Sequence, residues 1–299
     1  MGGGRAIHCP GIPRLKFLAE LATLGAAVLL PEAFLHARLP AATPVPAFRV
    51  DVHHHFSAPG FIAAISARKT NQRPLEQWTP SKSIDDMDKS GVATAMISTS
   101  EPSVWFGDND AARKLARECN EYGARLMADY PGRFGMFSTI PLPDVDASLL
   151  EIEYSLDMLK ADGVCMMTSY QGKYPGDPAF VPVMSELNRR KAVLFFHPVK
   201  AECCKDLQPE LAPALIELGT ETTRAIASII FDGTASRFPD IRFIFSHGGG
   251  TMPYLMTRFG ALAARPDFAQ RLPNGLLHEV HKLFFDTANF FNPYPCPRC

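Results

Sequence analysis

Val50-Asp51-Val52-His53-His54-His55-Phe56 is the stretch on which the reading of this chain turns. Residues 48–52 form a short apolar run with a β-branched bias, set behind Pro44 and Pro46, and this predicts a strand opening a domain. Three histidines follow at once. Side chains two apart on a strand share a face, so His53 and His55 are placed to converge on one ion while His54 faces away. Neutral imidazole suits zinc, manganese or iron. The competing reading is a chance histidine cluster at a loop edge. A purification-tag remnant fits poorly with so short a run, internal to the chain and embedded in a hydrophobic strand.

Outward from this stretch, β-like runs alternate with helix-like segments. Further strands are expected at 92–99, 134–140, 163–169, 192–196, 241–246 and 283–286. Between them, 84–90 reads as a helix that Gly91 ends in the left-handed conformation. Residues 110–130 place Leu115, Cys119, Tyr122 and Leu126 on one helical face. Helices are also expected at 148–161, 180–190, 221–238 with Thr220 as cap, and 251–264. Near-continuous apolar strands in strict βα alternation mean an α/β fold with a parallel sheet covered by helices. Seven such repeats in about 250 residues fit a (β/α)₈ TIM-type barrel better than an open doubly wound sheet. No GxGxxG follows a strand, which removes the main support for a dinucleotide fold.

The composition agrees with a sizeable core. The 299 residues are 46% hydrophobic and 20% charged, with a formal net charge of -1. Such a balance gives no support for a nucleic-acid or membrane partner and makes a small molecule the expected one. Seven cysteines at irregular spacing imply no disulfide framework, and Cys296 and Cys299 form a lone CxxC read as a solvated tail. Residues 1–46 carry a basic stretch (Arg14, Lys16) and then an apolar run. They are expected to be a leader-like or disordered extension, resembling a twin-arginine export signal with Leu15 in place of the second arginine. The chain is then exported if the leader functions and cytoplasmic if it does not, with residues 47–299 forming the barrel domain.

The candidate chemistry falls at strand ends. His53 and His55 close the first strand, His197 the fifth and His247 the sixth, four of the nine histidines. In a (β/α)₈ barrel these ends share one mouth, where active sites lie. Trp78 and Trp105 flank the second strand and are candidates to stack on a substrate or to pack the mouth. Arg73, Lys173 and Arg258 are candidate partners of a carboxylate or ordinary solvated cations.

Residues 49–294 resemble the amidohydrolase-related superfamily, in particular its decarboxylase branch, which holds the 6-methylsalicylate, γ-resorcylate and 2-amino-3-carboxymuconate-6-semialdehyde decarboxylases. The matching pieces are Asp51-Val52-His53-His54-His55, Thr168-Ser169-Tyr170-Gln171-Gly172-Lys173, Glu186-Leu187-Asn188-Arg189-Arg190-Lys191 leading to Phe196-His197-Pro198, and Phe245-Ser246-His247-Gly248-Gly249. The resemblance implies that His53, His55 and His197 are metal ligands and that His247 is a catalytic acid/base or orienting group. It implies one divalent metal ion, zinc ahead of manganese. The activity it implies is non-oxidative decarboxylation of an aromatic, salicylate-type carboxylic acid, with metal-dependent hydrolysis of a lactone, ester or amide as the alternative.

The family pattern also includes a fourth ligand, an aspartate after strand 8 in a segment like Gly-Thr-Asp-Tyr-Pro, and no such segment occurs in these 299 residues. Asp286 resembles the family's strand-7 aspartate instead. The barrel is therefore expected to be short of its last βα unit. An inactive truncated member, or a homodimer contact that completes the mouth, is the corresponding expectation.

Overall fold

The computed structural model describes residues 48–68, 72–204, 207 and 210–289; the leader expected over 1–46 and the Cys296/Cys299 pair lie outside these. Seven strands run in parallel: β1 (Arg49–His55), β2 (Val92–Ser98), β3 (Phe134–Thr139), β4 (Gly163–Met167), β5 (Val193–His197), β6 (Arg242–Phe245) and β7 (Phe284–Phe285). Parallel neighbours need long crossovers, and each one here carries at least one helix. The strand order is β1 to β7 without a reversal. A doubly wound sheet would switch direction partway, so this sequential winding is that of a barrel. Every residue of β3 and of β4 is buried, as strands covered on both faces should be.

The sheet curls strongly. Four positions apart in a flat sheet, β1 and β5 would lie about 19 Å apart at the usual ~4.8 Å spacing. Instead the His55 and His197 rings have centroids 4.7 Å apart. Aromatic rings fill the space beneath them, with Phe137 stacked on Phe195 at 5.4 Å. Phe195 is fully buried, and truncation of such a ring costs about 3–5 kcal/mol.

Local chemistry sets the helix starts. Thr79, Asp108 and Asp144 each accept a hydrogen bond from a backbone N–H of the first turn, of Lys82, Ala111 and Ala147 respectively. Gly91, at φ 67°, ends Pro80–Ser90 as expected. Asn109–Asp129 buries Ala112, Ala116, Cys119, Asn120, Gly123 and Leu126, while Leu115 and Tyr122 are only half-buried. Asn120 clamps this helix to the sheet. Its Oδ1 accepts from Thr139 N–H at 2.8 Å, and its Nδ2 donates to Thr139 O at 2.9 Å and to Glu151 Oε1 at 2.8 Å.

Two expected helices are corrected. The helix placed at 221–238 runs over Glu217–Phe231 and is followed, after Gly233 at φ 77°, by the short Thr234–Arg237. Thr220 is no cap, because its hydroxyl donates back to Ile216 O at 2.9 Å from within the first turn. The helix placed at 148–161 begins at Val145 under its Asp144 cap and passes into a wider turn over Tyr154–Met158. Among the described residues, no helix is long and apolar enough to cross a membrane.

Candidate metal centre

The first strand runs through all three histidines, and the alternation of the strand sorts them. His53 and His55 face the barrel interior. His54 faces outward, with Nδ1 3.1 Å from Asp51 Oδ2 and Nε2 2.8 Å from Ser83 Oγ. His197 arrives from the end of β5, beside Met167 in register. His53, His55 and His197 each present one ligand atom, and the three atoms lie within 4.8 Å of one another. Their rings meet edge to face, at 4.9 Å for His53–His55 and 5.1 Å for His53–His197.

Two of the trio, His55 and His197, are held neutral. Burial pushes His55 down to about 3, with the neighbouring imidazoles adding to the effect. Burial and the same neighbours hold His197 well below the ordinary histidine value. Nδ1 of His55 and Nδ1 of His197 are enclosed and have no hydrogen-bond partner. Enclosed nitrogens without a partner in a folded interior are costly unless another group satisfies the rings that carry them. A divalent cation fits: it prefers neutral imidazole and turns three crowded rings into a shared ligand set.

His247 stands beside the trio. Its ring centroid is 5.0 Å from that of His53 and 6.5 Å from that of His197. Burial, and then His53, lower it to about 4. It sits on a sharp turn, at φ 56°, followed by Gly248, Gly249 and Gly250 at positive φ. A Cβ on Gly249 would meet the Phe285 ring at 2.8 Å, so this glycine serves close packing of the turn against β7. Asp286 lies outside the trio as well, but its Oδ2 is 2.6 Å from His53 Nδ1.

The remaining candidates separate cleanly. Trp78 packs against Phe56 and Tyr122, donates to Ser83 Oγ at 2.8 Å, and lines a cavity of about 290 Å³ together with His53 and His55. Trp105 lines a cavity of about 400 Å³ at the strand ends, together with Met167, Tyr170 and Lys200. Arg73, Lys173 and Arg258 are exposed, and none lines that cavity. Lys200 belongs to no motif, and the signal that marks it is its position just beyond His197-Pro198, in a strand-end loop. The buried Glu221 belongs to no motif either. It takes hydrogen bonds from Tyr174 Oη at 2.9 Å and from Arg224 Nη1 at 2.5 Å and ties the loop after β4 to the helix Glu217–Phe231.

Comparison with known proteins adds the relatives. The amidohydrolase family profile matches residues 50–294. The chain is 38% identical to the decarboxylase yanB of Aspergillus niger, over 80% of its own length and 69% of that protein's. It is 33% identical to the 6-methylsalicylic acid decarboxylase of Penicillium expansum, over 82% of its own length and 78% of that protein's. Its fold matches the crystal structure of a dihydroxybenzoic acid decarboxylase from a Polaromonas species, solved with bound manganese and an inhibitor. That match has a TM-score of 0.67 at 18% identity and covers 82% of this chain and 88% of the other. By a match that spans nearly all of the described residues, and by close relatives over most of its length, the chain belongs to the amidohydrolase family.

Proposed function

We propose that this chain is a metal-dependent, non-oxidative decarboxylase of a salicylate-type aromatic acid, with His53, His55 and His197 holding one divalent ion and His247 handling the proton. One observation carries the reading: three imidazoles converge at the strand ends, and two of their enclosed nitrogens have no partner within the protein. Relatives at 33 to 38% identity bear decarboxylase names, which favours carbon–carbon cleavage over the hydrolase alternative.

The reaction needs no oxidant or reductant. The bond from the ring carbon to the carboxylate breaks, its electron pair stays on the ring, carbon dioxide leaves and a proton takes the vacant place. A bound divalent ion supplies Lewis-acid stabilisation of negative charge on the carboxylate and its ortho oxygen. The chain's own groups do the rest. The cavity of about 290 Å³ that His53 and His55 line together with Trp78 and Lys82 has room for a one-ring acid beside the trio. His247 is neutral near pH 7, and a carboxylate arriving beside it raises its proton affinity. It can then take up a proton and deliver it to the ring carbon. A donor set of three histidines is one that zinc commonly takes, so zinc is placed ahead of manganese.

The test is metal content of the purified chain together with product analysis on 6-methylsalicylate, before and after loading with zinc or manganese. About one ion per chain is expected, with carbon dioxide and 3-methylphenol formed in equal amounts. Acid release from lactones without carbon dioxide from the aromatic acid would overturn the decarboxylase reading in favour of the hydrolase.

A further inference from the structure

We propose that Asp286 is the positioning residue of this metal centre: one carboxylate oxygen orients His53, and the other anchors the turn that carries His247. The inference rests on reading His53, His55 and His197 as ligands. It assigns a task to a residue that the ligand set leaves unused.

Asp286 follows β7 directly and is 5% exposed. Its Oδ2 lies 2.6 Å from His53 Nδ1, short enough for a charge-assisted hydrogen bond. Its Oδ1 accepts from His247 N–H at 2.7 Å and from Ala288 N–H at 3.1 Å. The backbone is held as well. Asp286 N–H donates to Phe245 O at 3.0 Å, and Asp286 O accepts from Gly248 N–H at 3.1 Å. With both oxygens and both backbone groups engaged, the carboxylate has a single orientation.

The consequence for His53 follows from donor and acceptor inventory. An ionised carboxylate only accepts, so the hydrogen in the 2.6 Å contact belongs to Nδ1. The lone pair of His53 is then on Nε2, and the ring is locked with that nitrogen as its ligand atom. Carboxylate partners of this kind fix the tautomer of a ligating histidine and raise its basicity. The consequence for His247 is steric. A φ of 56° is uncommon for a residue with a side chain, and the Oδ1 contact is one of the bonds that keeps it there. A ligand from β1 and the acid/base candidate after β6 are thus registered to each other through one side chain.

Zinc affinity, read by competition with a chromogenic chelator on the full chain, tests this in a double-mutant cycle of Asp286→Asn and His53→Ala. In the wild-type background Asp286→Asn should weaken zinc binding about 10- to 100-fold. In the His53→Ala background it should add little, because the route through His53 is already gone. Equal losses in both backgrounds, or no loss in either, overturn the proposal. A wild-type chain that binds no zinc removes the ligand assignment itself and this inference with it, whereas tight wild-type binding with an unchanged Asp286→Asn variant removes this inference alone. Histidine ¹⁵N spectra of the zinc-loaded wild-type chain ask the same question without a variant. His53 should be protonated at Nδ1 and zinc-bound at Nε2, and zinc on His53 Nδ1 overturns the proposal.

Discussion

The imidazoles of His55 and His197 lie 4.7 Å apart although their strands, β1 and β5, share no edge. They meet across the interior of a curled sheet, beyond the reach of any strand-to-strand hydrogen bond. Only curvature brings them together, so the centre is a property of the whole winding and of no single motif.

Replacing His197 by leucine should separate metal binding from folding. The buried Nδ1 has no partner in the protein, and removing an unsatisfied polar atom returns about 1–3 kcal/mol, less whatever the new shape loses in packing. The metal-free His197→Leu chain is therefore expected to be at least as stable as metal-free wild type in urea, while it retains no zinc after dialysis. Retention of a full equivalent of metal would remove His197 from the ligand set.

Acid should weaken the metal-free fold. His55 is held at about 3 and His197 well below its ordinary value, so both stay neutral in the folded chain. In the unfolded chain they take up protons below about pH 6.5. A group whose folded value is depressed contributes its full stability above the unfolded value and loses it as pH falls toward the folded one. Each of the two should steepen the stability curve by up to about 1 kcal/mol per pH unit between about pH 6 and 4. Urea midpoints across that range should fall with acid, and less steeply in His197→Leu. An identical slope in both chains would contradict the assignment.

His54 is expected to be dispensable for metal. It points away from the trio and bridges Asp51 to Ser83, and its hydrogen bond holds the Asp51 carboxyl below the usual range. His54→Ala should keep one ion per chain and cost about 1 kcal/mol of stability from the lost hydrogen bonds. Loss of metal on this substitution, with the fold intact by circular dichroism, would mean that the strand's alternation had been read in the wrong register.

His247→Ala should leave metal content unchanged and lower kcat by about 10²–10⁴-fold, the usual worth of a positioned proton-transfer group. Metal analysis and turnover on one preparation decide it. Full activity in the variant would assign the proton to another donor.

Asn120→Ala tests the frame. It strips the partners from Thr139 N–H and Thr139 O, both at the buried end of β3, and should cost about 2–4 kcal/mol. A urea midpoint unchanged from wild type would show that water replaces the amide there.

Much of this was legible in the sequence because it depends on local pattern. The βα alternation fixed the order of the strands, and the period-2 logic of a strand separated His53 and His55 from His54. Helix caps were less legible. Thr220 has the chemistry of a cap, yet its hydroxyl serves a carbonyl four residues back, because the chain had already turned helical after Ile216. The supporting contacts were not legible at all. Asp286 reads as one more strand-end carboxylate, and only the closure of the sheet places it on His53, 233 positions away. Glu221 is half hidden: Arg224 lies three residues on in the same helix, but its other partner, Tyr174, comes from the loop after β4, 47 positions away.

That separation of 233 positions also bears on the order of assembly. Contacts between residues so distant in the chain are among the slowest to form, because the intervening loop must close before they contribute anything. During synthesis the His53–His55 pair leaves the ribosome first, before His197 and Asp286 exist to join it. The centre therefore assembles late: its ligands need the first and fifth strands in place, and Asp286 joins His53 only when the seventh has docked.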